Sequence, residues 1–415
     1  MIKADAKIIE KNLRRLNEFN STPEFGTTRV LFTETELAGR EFVKGIMKDN
    51  GLEVTEDAAG NIFGKLAGTD PSLAPVWTGS HIDTVLNGGM FDGMAGVIGS
   101  IEALRIIKES GIRPKRDVYV IIYTSEEPTR FGLSCLGSRI MSGDMSLEDT
   151  KGVFDKEGKS LYQVLESLGY DFSEFSGIRR EKGDVFAAVE MHIEQGPHLE
   201  KDGRQIGIVK GICAPSNYDI TVTGVQSHAG GTSMADRHDA FMAACEISLV
   251  LEKLARENTA SEYTTATVGK IRTVPGSVNV IPGVCEFSVD IRDIDYDSKK
   301  ILMENLVSCF PEIEKERGVK IDVKTYNCDI PVRCEKSITD IIEKYSEELG
   351  YPYEYLISGP YHDSLFVGRF APVAMIFVPS RNGISHSPDE WTDFEDIAAG
   401  TDILAHTLAE LADEI

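Results

Sequence analysis

Apolar runs the length of a single buried strand alternate along this chain with stretches striped at helical spacing, and that rhythm limits the fold more than any other feature. The runs at 74–80 and 118–123 are continuous and apolar, as strands buried on both faces are. Between them Val97, Ile98, Ile101 and Leu104 fall at i, i+1, i+4 and i+7, the stripe of a helix packed on a sheet. A further buried strand is expected over 185–191, after an opening amphipathic helix over 2–19 and a helix from Thr33 toward Asn50. Thr33 and Glu36 carry the capping-box pattern at the head of that second helix. Such alternation predicts an α/β fold, with a mixed, mostly parallel sheet and helices on both faces.

From about Gly211 the texture changes. A half-exposed strand (218–223), a helix (238–256), strands at 264–271 and 284–291, a helix (296–317) and a strand (319–326) give β-α-β-β-α-β. That is the order of an inserted α+β ferredoxin-like domain. After Pro331 the α/β texture returns, with a helix over 337–349, a strand over 373–378 and a closing helix over 394–412 striped by Leu404, Leu408 and Leu411. The expectation is a discontinuous domain of residues 1–211 and 330–415, interrupted by a second domain over 212–329.

A net charge of −24 opposes binding to phosphate backbones or anionic lipid, so neither nucleic acid nor membrane is expected as a partner. No apolar run nears the roughly 20 residues that span a bilayer. The N-terminal residues are charged without an apolar signal core, and the seven cysteines are scattered without a C-x-x-C pair. A cytoplasmic protein with reduced thiols is the expectation.

Chemistry concentrates in patches at strand ends. Gly79-Ser80-His81-Ile82-Asp83 follows the first strand, and Gly88-Gly89-Met90-Phe91-Asp92-Gly93 opens the next helix. Glu126 and Glu127 follow the strand over 118–123, His192 and Gln195 follow the strand over 185–191, and Ser385-His386-Ser387-Pro388 lies beyond the last strand. In open α/β sheets, active sites gather at the carboxyl ends of strands. Each patch alone is more often structural: a hydrogen-bonded histidine, a solvated glutamate pair, an Asp-Gly turn. Together they suit divalent metals, because neutral imidazole and carboxylate bind zinc or manganese. Five ligands, His81, Asp92, Glu127, His192 and His386, with Asp92 bridging, would give two ions three protein contacts each. Asp83 stands where it could accept the second imidazole N–H of His81. Glu126, beside a ligand, is the expected proton acceptor and donor.

This ordered set resembles the M20 metallopeptidase superfamily and, within it, the amidases of ureido (N-carbamoyl) acids. Further matched stretches are His228-Ala229-Gly230, Asn279-Val280-Ile281-Pro282, Asp290-Ile291-Arg292-Asp293 and His362-Asp363. The resemblance implies a two-metal (zinc or manganese) catalytic domain and a lid domain that also makes a homodimer contact. It pairs His81 with His192 on one ion and Glu127 with His386 on the other, and it makes His228, Asn279 and Arg292 the substrate-holding trio. Gln195 and His362 match further substrate contacts, while Tyr361 fits either a pocket wall or a packed aromatic. The implied reaction is hydrolysis of the ureido C–N bond of a small carboxylate. Ureidoglycolate leads, with N-carbamoyl-L-amino acids or allantoate as alternatives. A metal-dependent ureido-acid binding protein without turnover is the rival from another class.

Overall fold

The computed structural model describes residues 1–413. The described residues divide into two compact units, residues 1–210 with 333–358 and 362–413, and residues 211–332 with 359–361.

The first unit is built on a mixed sheet. Its strands run in the order Glu53–Glu56, Ile62–Leu66, Val118–Ile122, Val76–Ser80, Ala187–Ile193, Val373–Val378 and Ile206–Ile212, and Tyr353–Ser358 also pairs with the last of these. The four central strands, from Val118–Ile122 to Val373–Val378, are mutually parallel. The pairings flanking them, with Ile62–Leu66 and with Ile206–Ile212, are antiparallel. The sheet is mixed, as expected, with a parallel centre flanked by antiparallel pairings. The outer strands were not anticipated because glycines (Gly64, Gly207, Gly211) and charged residues break their apolar pattern.

The central strands bury both faces, with different chemistry on each. In Ala187–Ile193, Val189, Met191 and Ile193 join the core against helices Met94–Glu109 and Phe394–Asp413. Strand alternation then sends Glu190 and His192 to the opposite face. There Glu190 accepts hydrogen bonds from Ser80 (2.9 Å) and from the Ser364 hydroxyl (2.6 Å). Helix Met94–Glu109 lies close on the sheet because Gly96 allows it: a Cβ at that position would stand 2.2 Å from the Met191 carbonyl oxygen.

Helix boundaries follow local chemistry. The opening helix spans Ala6–Asn17, capped by Asp5, and the next spans Glu34–Asp49, capped by Thr33. Only half of the expected capping box forms. Thr33 accepts the Glu36 N–H, but the Glu36 carboxylate accepts from the Phe32 N–H (2.9 Å) and pairs with the buried Arg40 (3.2 Å). A buried guanidinium needs a carboxylate more than a surface N–H does.

In the second unit, Ala214–Thr223 lies between Val284–Asp293 and Lys320–Cys328, all antiparallel. The far edge of Val284–Asp293 pairs with two short strands, Thr264–Thr267 and Ile271–Val274. One strand was expected there; the pairing breaks at Gly269, where the Lys270 N–H turns to the Ser288 hydroxyl (3.0 Å). Helices Ala240–Glu257, Tyr296–Ser308 and Phe310–Arg317 cover a core of Ile220, Val222, Phe287, Val289 and their neighbours. The single helix expected over 296–317 divides at Cys309, since Pro311 cannot donate to the turn before it. Among the described residues no helix is long and apolar enough to cross a membrane, and all seven cysteines are unpaired.

Candidate active site

The first unit brings the expected ligand residues together at the carboxyl ends of its parallel strands. Asp92 is the junction. Its Oδ1 lies 3.1 Å from His192 Nε2 and 3.8 Å from His81 Nε2, and its Oδ2 lies 3.0 Å from His386 Nε2. Glu127 Oε1 stands 3.2 Å from that same His386 nitrogen. The five residues thus form two groups sharing Asp92, His81–Asp92–His192 and Asp92–Glu127–His386. Two atoms each about 2.1 Å from one tetrahedral ion stand about 3.4 Å apart, and the observed separations bracket that value.

Each imidazole is aimed by its other nitrogen. His81 Nδ1 is 2.9 Å from the Asp83 main-chain oxygen, and His192 Nδ1 is 2.9 Å from that of Ile193. With Nδ1 spent on those carbonyls, each ring presents Nε2 toward Asp92, and the Gly93 N–H also lies 3.2 Å from His192 Nε2. The Asp83 carboxylate, expected on His81, stands 3.8 Å from that ring and instead accepts the N–H groups of Glu126 (3.2 Å) and Glu127 (3.0 Å). Asp83 therefore fixes the glutamate turn with its side chain and His81 with its backbone.

Glu126 is almost fully buried, with Oε2 3.8 Å from His81 Nε2. The Cys135 thiol lies 3.7 Å from its Oε1 and the Cys135 N–H bonds its main-chain oxygen at 3.0 Å. The next two N–H groups, of Leu136 and Gly137, bond the oxygens of Ser125 and Thr124. The donors left open at the start of helix Leu136–Ser142 are thereby spent on holding the turn that carries the glutamate pair. Ser125, Gln195 and His386 all have φ between 54° and 57°, a conformation that costs a non-glycine residue about 1–3 kcal/mol and clusters at functional sites.

Charge is concentrated here. Burial, reinforced by Glu127, raises the Glu126 carboxyl well above its ordinary range, and burial does the same to Asp83 and Asp363. Burial alone would raise Asp92 too, but hydrogen bonds from His192 and His386 hold it well below the usual carboxylate range. Burial takes His81 down to about 4. For His192 burial is outweighed by Asp92, which brings the ring up to about 9, and hydrogen bonds to Asp92 and Glu127 push His386 up to about 11. Protons on two histidines thus balance carboxylates that would otherwise face one another. The donor set fits divalent cations, which would replace those protons. Gly93 fits as well: a Cβ there would stand 2.4 Å from His81 Nε2.

Gln195 joins the cluster through Nε2, 3.0 Å from Asp92 Oδ2, while its Oε1 is buried with no hydrogen-bond partner. His362 packs edge-on against His192 at 4.6 Å and meets the Ser358 hydroxyl at 3.0 Å. Three further residues support the site, none of which the sequence had given a role. Glu390 binds the Asp92 turn, Ser385 stands 3.3 Å from Asp92 Oδ2, and Glu190 lies within ligand reach of His192 and His362. Glu390 could have been found four residues after His386, but acids in a turn that follows a proline usually lie at the surface.

The remaining expected residues belong to the second unit. His228 Nδ1 accepts N–H bonds from Gly230 (3.1 Å) and Gly231 (3.0 Å), which puts the ring proton on Nε2. The Asn279 carbonyl accepts the Ala229 N–H. Arg292 is engaged by Asp290 at 3.0 and 3.3 Å and by the Gly359 oxygen at 3.3 Å, and the Tyr361 hydroxyl is held by Asp329 at 2.5 Å.

A central parallel sheet whose strand ends carry two histidine–carboxylate groups and a buried glutamate has the donor set of a metal-dependent enzyme. Residues 77–410 match peptidase family M20/M25/M40, and the chain belongs to that family, whose members are metal-dependent. It is 41% identical to a ureidoglycolate hydrolase of Oryza sativa subsp. japonica, across 98% of this chain and 85% of the relative. It is 38% identical to an N-carbamoyl-L-amino acid amidohydrolase of Geobacillus stearothermophilus, over 97% of each chain. The crystal structure of AtUAH in complex with glyoxylate is similar at TM-score 0.86 and 40% identity, covering 100% of this chain and 99% of that one.

Proposed function

We propose that this chain hydrolyses the ureido C–N bond of ureidoglycolate, consuming one water and releasing ammonia, carbon dioxide and the remaining two-carbon hydroxy amino acid. One observation carries the reading: Asp92 offers an oxygen to each of two ligand groups, with the buried Glu126 carboxylate beside them. His81, Asp92 and His192 would hold one divalent ion, zinc or manganese, and Asp92, Glu127 and His386 a second. Bound there, such ions supply Lewis acidity and lower the pKa of water.

The protein's own groups do the rest. Glu126 takes a proton from the attacking water and delivers it to the departing nitrogen as the C–N bond breaks. His228 Nε2–H and the Asn279 amide would donate to the carbonyl oxygen as it becomes an oxyanion. Arg292 would take the substrate carboxylate with the guanidinium N–H groups beyond those spent on Asp290 and the Gly359 oxygen. The partnerless Gln195 Oε1 would accept a substrate N–H, and His362 would line the same site. Tyr361 is more simply read as a packed aromatic, its hydroxyl being committed to Asp329. The strand order of the second unit supports a ferredoxin-like domain, which we assign as lid and homodimer contact.

Ammonia release is the direct test. The metal-stripped protein, resupplied with manganese or zinc, should turn over ureidoglycolate faster than allantoate or N-carbamoyl-L-amino acids. A faster rate on either alternative would reassign the substrate, and no ammonia from any of them would remove the activity.

A second expectation concerns protons. At pH 7.5 the metal-free protein carries protons on His192 and His386, which titrate near 9 and 11, and a ligating imidazole must be neutral. Loading both ions should therefore release about two protons. Calorimetry in buffers of different ionisation enthalpy measures this number, and buffer-independent heats would contradict the ligand assignment. Because both pKa values lie above the unfolded value, this contribution to metal-free stability is complete below about pH 6.5. It should fade as the pH rises through 9 and beyond.

A further inference from the structure

Glu390 joins two segments of the site that are far apart in sequence. Its Oε1 accepts the Phe91 N–H at 2.9 Å and the Asp92 N–H at 3.0 Å, and its Oε2 accepts the Ser385 hydroxyl at 2.8 Å. Ser385 Oγ in turn stands 3.3 Å from Asp92 Oδ2, and Gln195 Nε2 lies within 3.3 Å of Ser385 Oγ. The carboxylate is buried and sits against Gly89, where a Cβ would come within 2.2 Å of it. One side chain thus sets the Asp92 turn and, through Ser385, the segment that presents His386.

The two ligand groups depend on this link unequally. His81 and His192 are buried, and each is fixed by a main-chain oxygen of its own strand end. His386 is half exposed, has φ 54°, and its neighbour Ser385 is tied to Glu390. We propose that Glu390 is a positioning residue that builds the Asp92–Glu127–His386 ion site, while the His81–Asp92–His192 site holds without it. The inference rests on the two-ion reading above.

The test is metal binding to the stripped full-length chain, titrated with zinc alone and followed by calorimetry and elemental analysis. Wild type should take two ions. Glu390→Ala should keep one near wild-type affinity and bind the other about 10–100-fold more weakly, the usual effect of losing a group that orients a ligand. Glu390→Gln should retain both within about threefold: its amide oxygen can accept both N–H groups and its NH2 can donate to Ser385. Ser385→Ala, which leaves the buried acid in place, should weaken the same single ion and decides the matter if Glu390→Ala does not fold. Two ions at unchanged affinity in the alanine variants, or both weakened alike, would overturn the proposal. A wild-type chain that binds fewer than two ions would instead overturn the reading on which it rests.

Discussion

Glu126→Gln is expected to lower kcat by about 10²–10⁴-fold, the contribution of a placed general acid–base, with KM and metal content nearly unchanged. The amide has the carboxylate's shape and can still accept from the Cys135 thiol, but it cannot take a proton from water. A purely structural role for Glu126 predicts the opposite pattern in stability. Burial and the charges of Glu127, Asp363, Asp92 and Asp83 raise its pKa in the fold, so its ionised form is disfavoured there. A folded pKa above the unfolded value contributes stability below about pH 4.3 that is lost as the pH rises through the folded pKa. At neutral pH, where the unfolded chain holds this carboxyl ionised, the raised folded pKa is therefore a cost, and a neutral isostere removes it. The metal-free variant should melt at the same temperature as wild type or higher while turning over far more slowly. Near-normal turnover, or slow turnover with a lower Tm, would deny Glu126 its role.

That opposition between stability and chemistry explains which parts of the molecule were legible in sequence. Val118–Ile122 and Val373–Val378 announce themselves because a strand buried on both faces admits little but apolar, β-branched residues. Ile206–Ile212 and Tyr353–Ser358 lie toward the edge, where Gly207, Gly211 and Glu354 are tolerated and no pattern survives. The five ligand candidates were readable because histidines and acids at strand ends break the local rule of what a buried segment contains. Their supports were not. Glu390 and Ser385 sit in a polar turn and Glu190 inside an apolar strand, and only the fold shows that Glu390 and Glu190 are buried and that all three support Asp92 or His192. The Asp83 carboxylate departs from its expected place for a related reason. Its spacing from His81 is right, but the strand-end turn puts its backbone oxygen, not its side chain, beside the imidazole.

Gly93→Ala should abolish turnover, with kcat/KM down by at least about 10²-fold, the scale on which a 1 Å displacement of a reacting group acts. Gly93 has φ 70° and ψ −47°, and the Met94 N–H reaches back to the Asp92 oxygen at 2.8 Å, closing a γ-turn of the strained positive-φ kind. That turn sends the Asp92 side chain back toward His81 and His192 while the helix departs. A methyl group at this position would meet His81 at 2.4, 2.5 and 2.6 Å from Nε2, Cε1 and Cδ2. The ring has nowhere to go, being buried and held at Nδ1 by the Asp83 oxygen. Either the imidazole leaves its position or the Asp92 turn opens, and both dismantle the His81–Asp92–His192 group. Zinc titration should then show that group's ion lost before any change in helix content by circular dichroism. Gly111→Ala separates backbone strain from the clash, because Gly111 has φ 74° with nothing within 4 Å of its would-be Cβ. This control should lose about 1–2 kcal/mol of stability and keep full activity and both ions. If Gly93→Ala behaved like Gly111→Ala, the cramped approach of backbone to His81 would not be what shapes the centre.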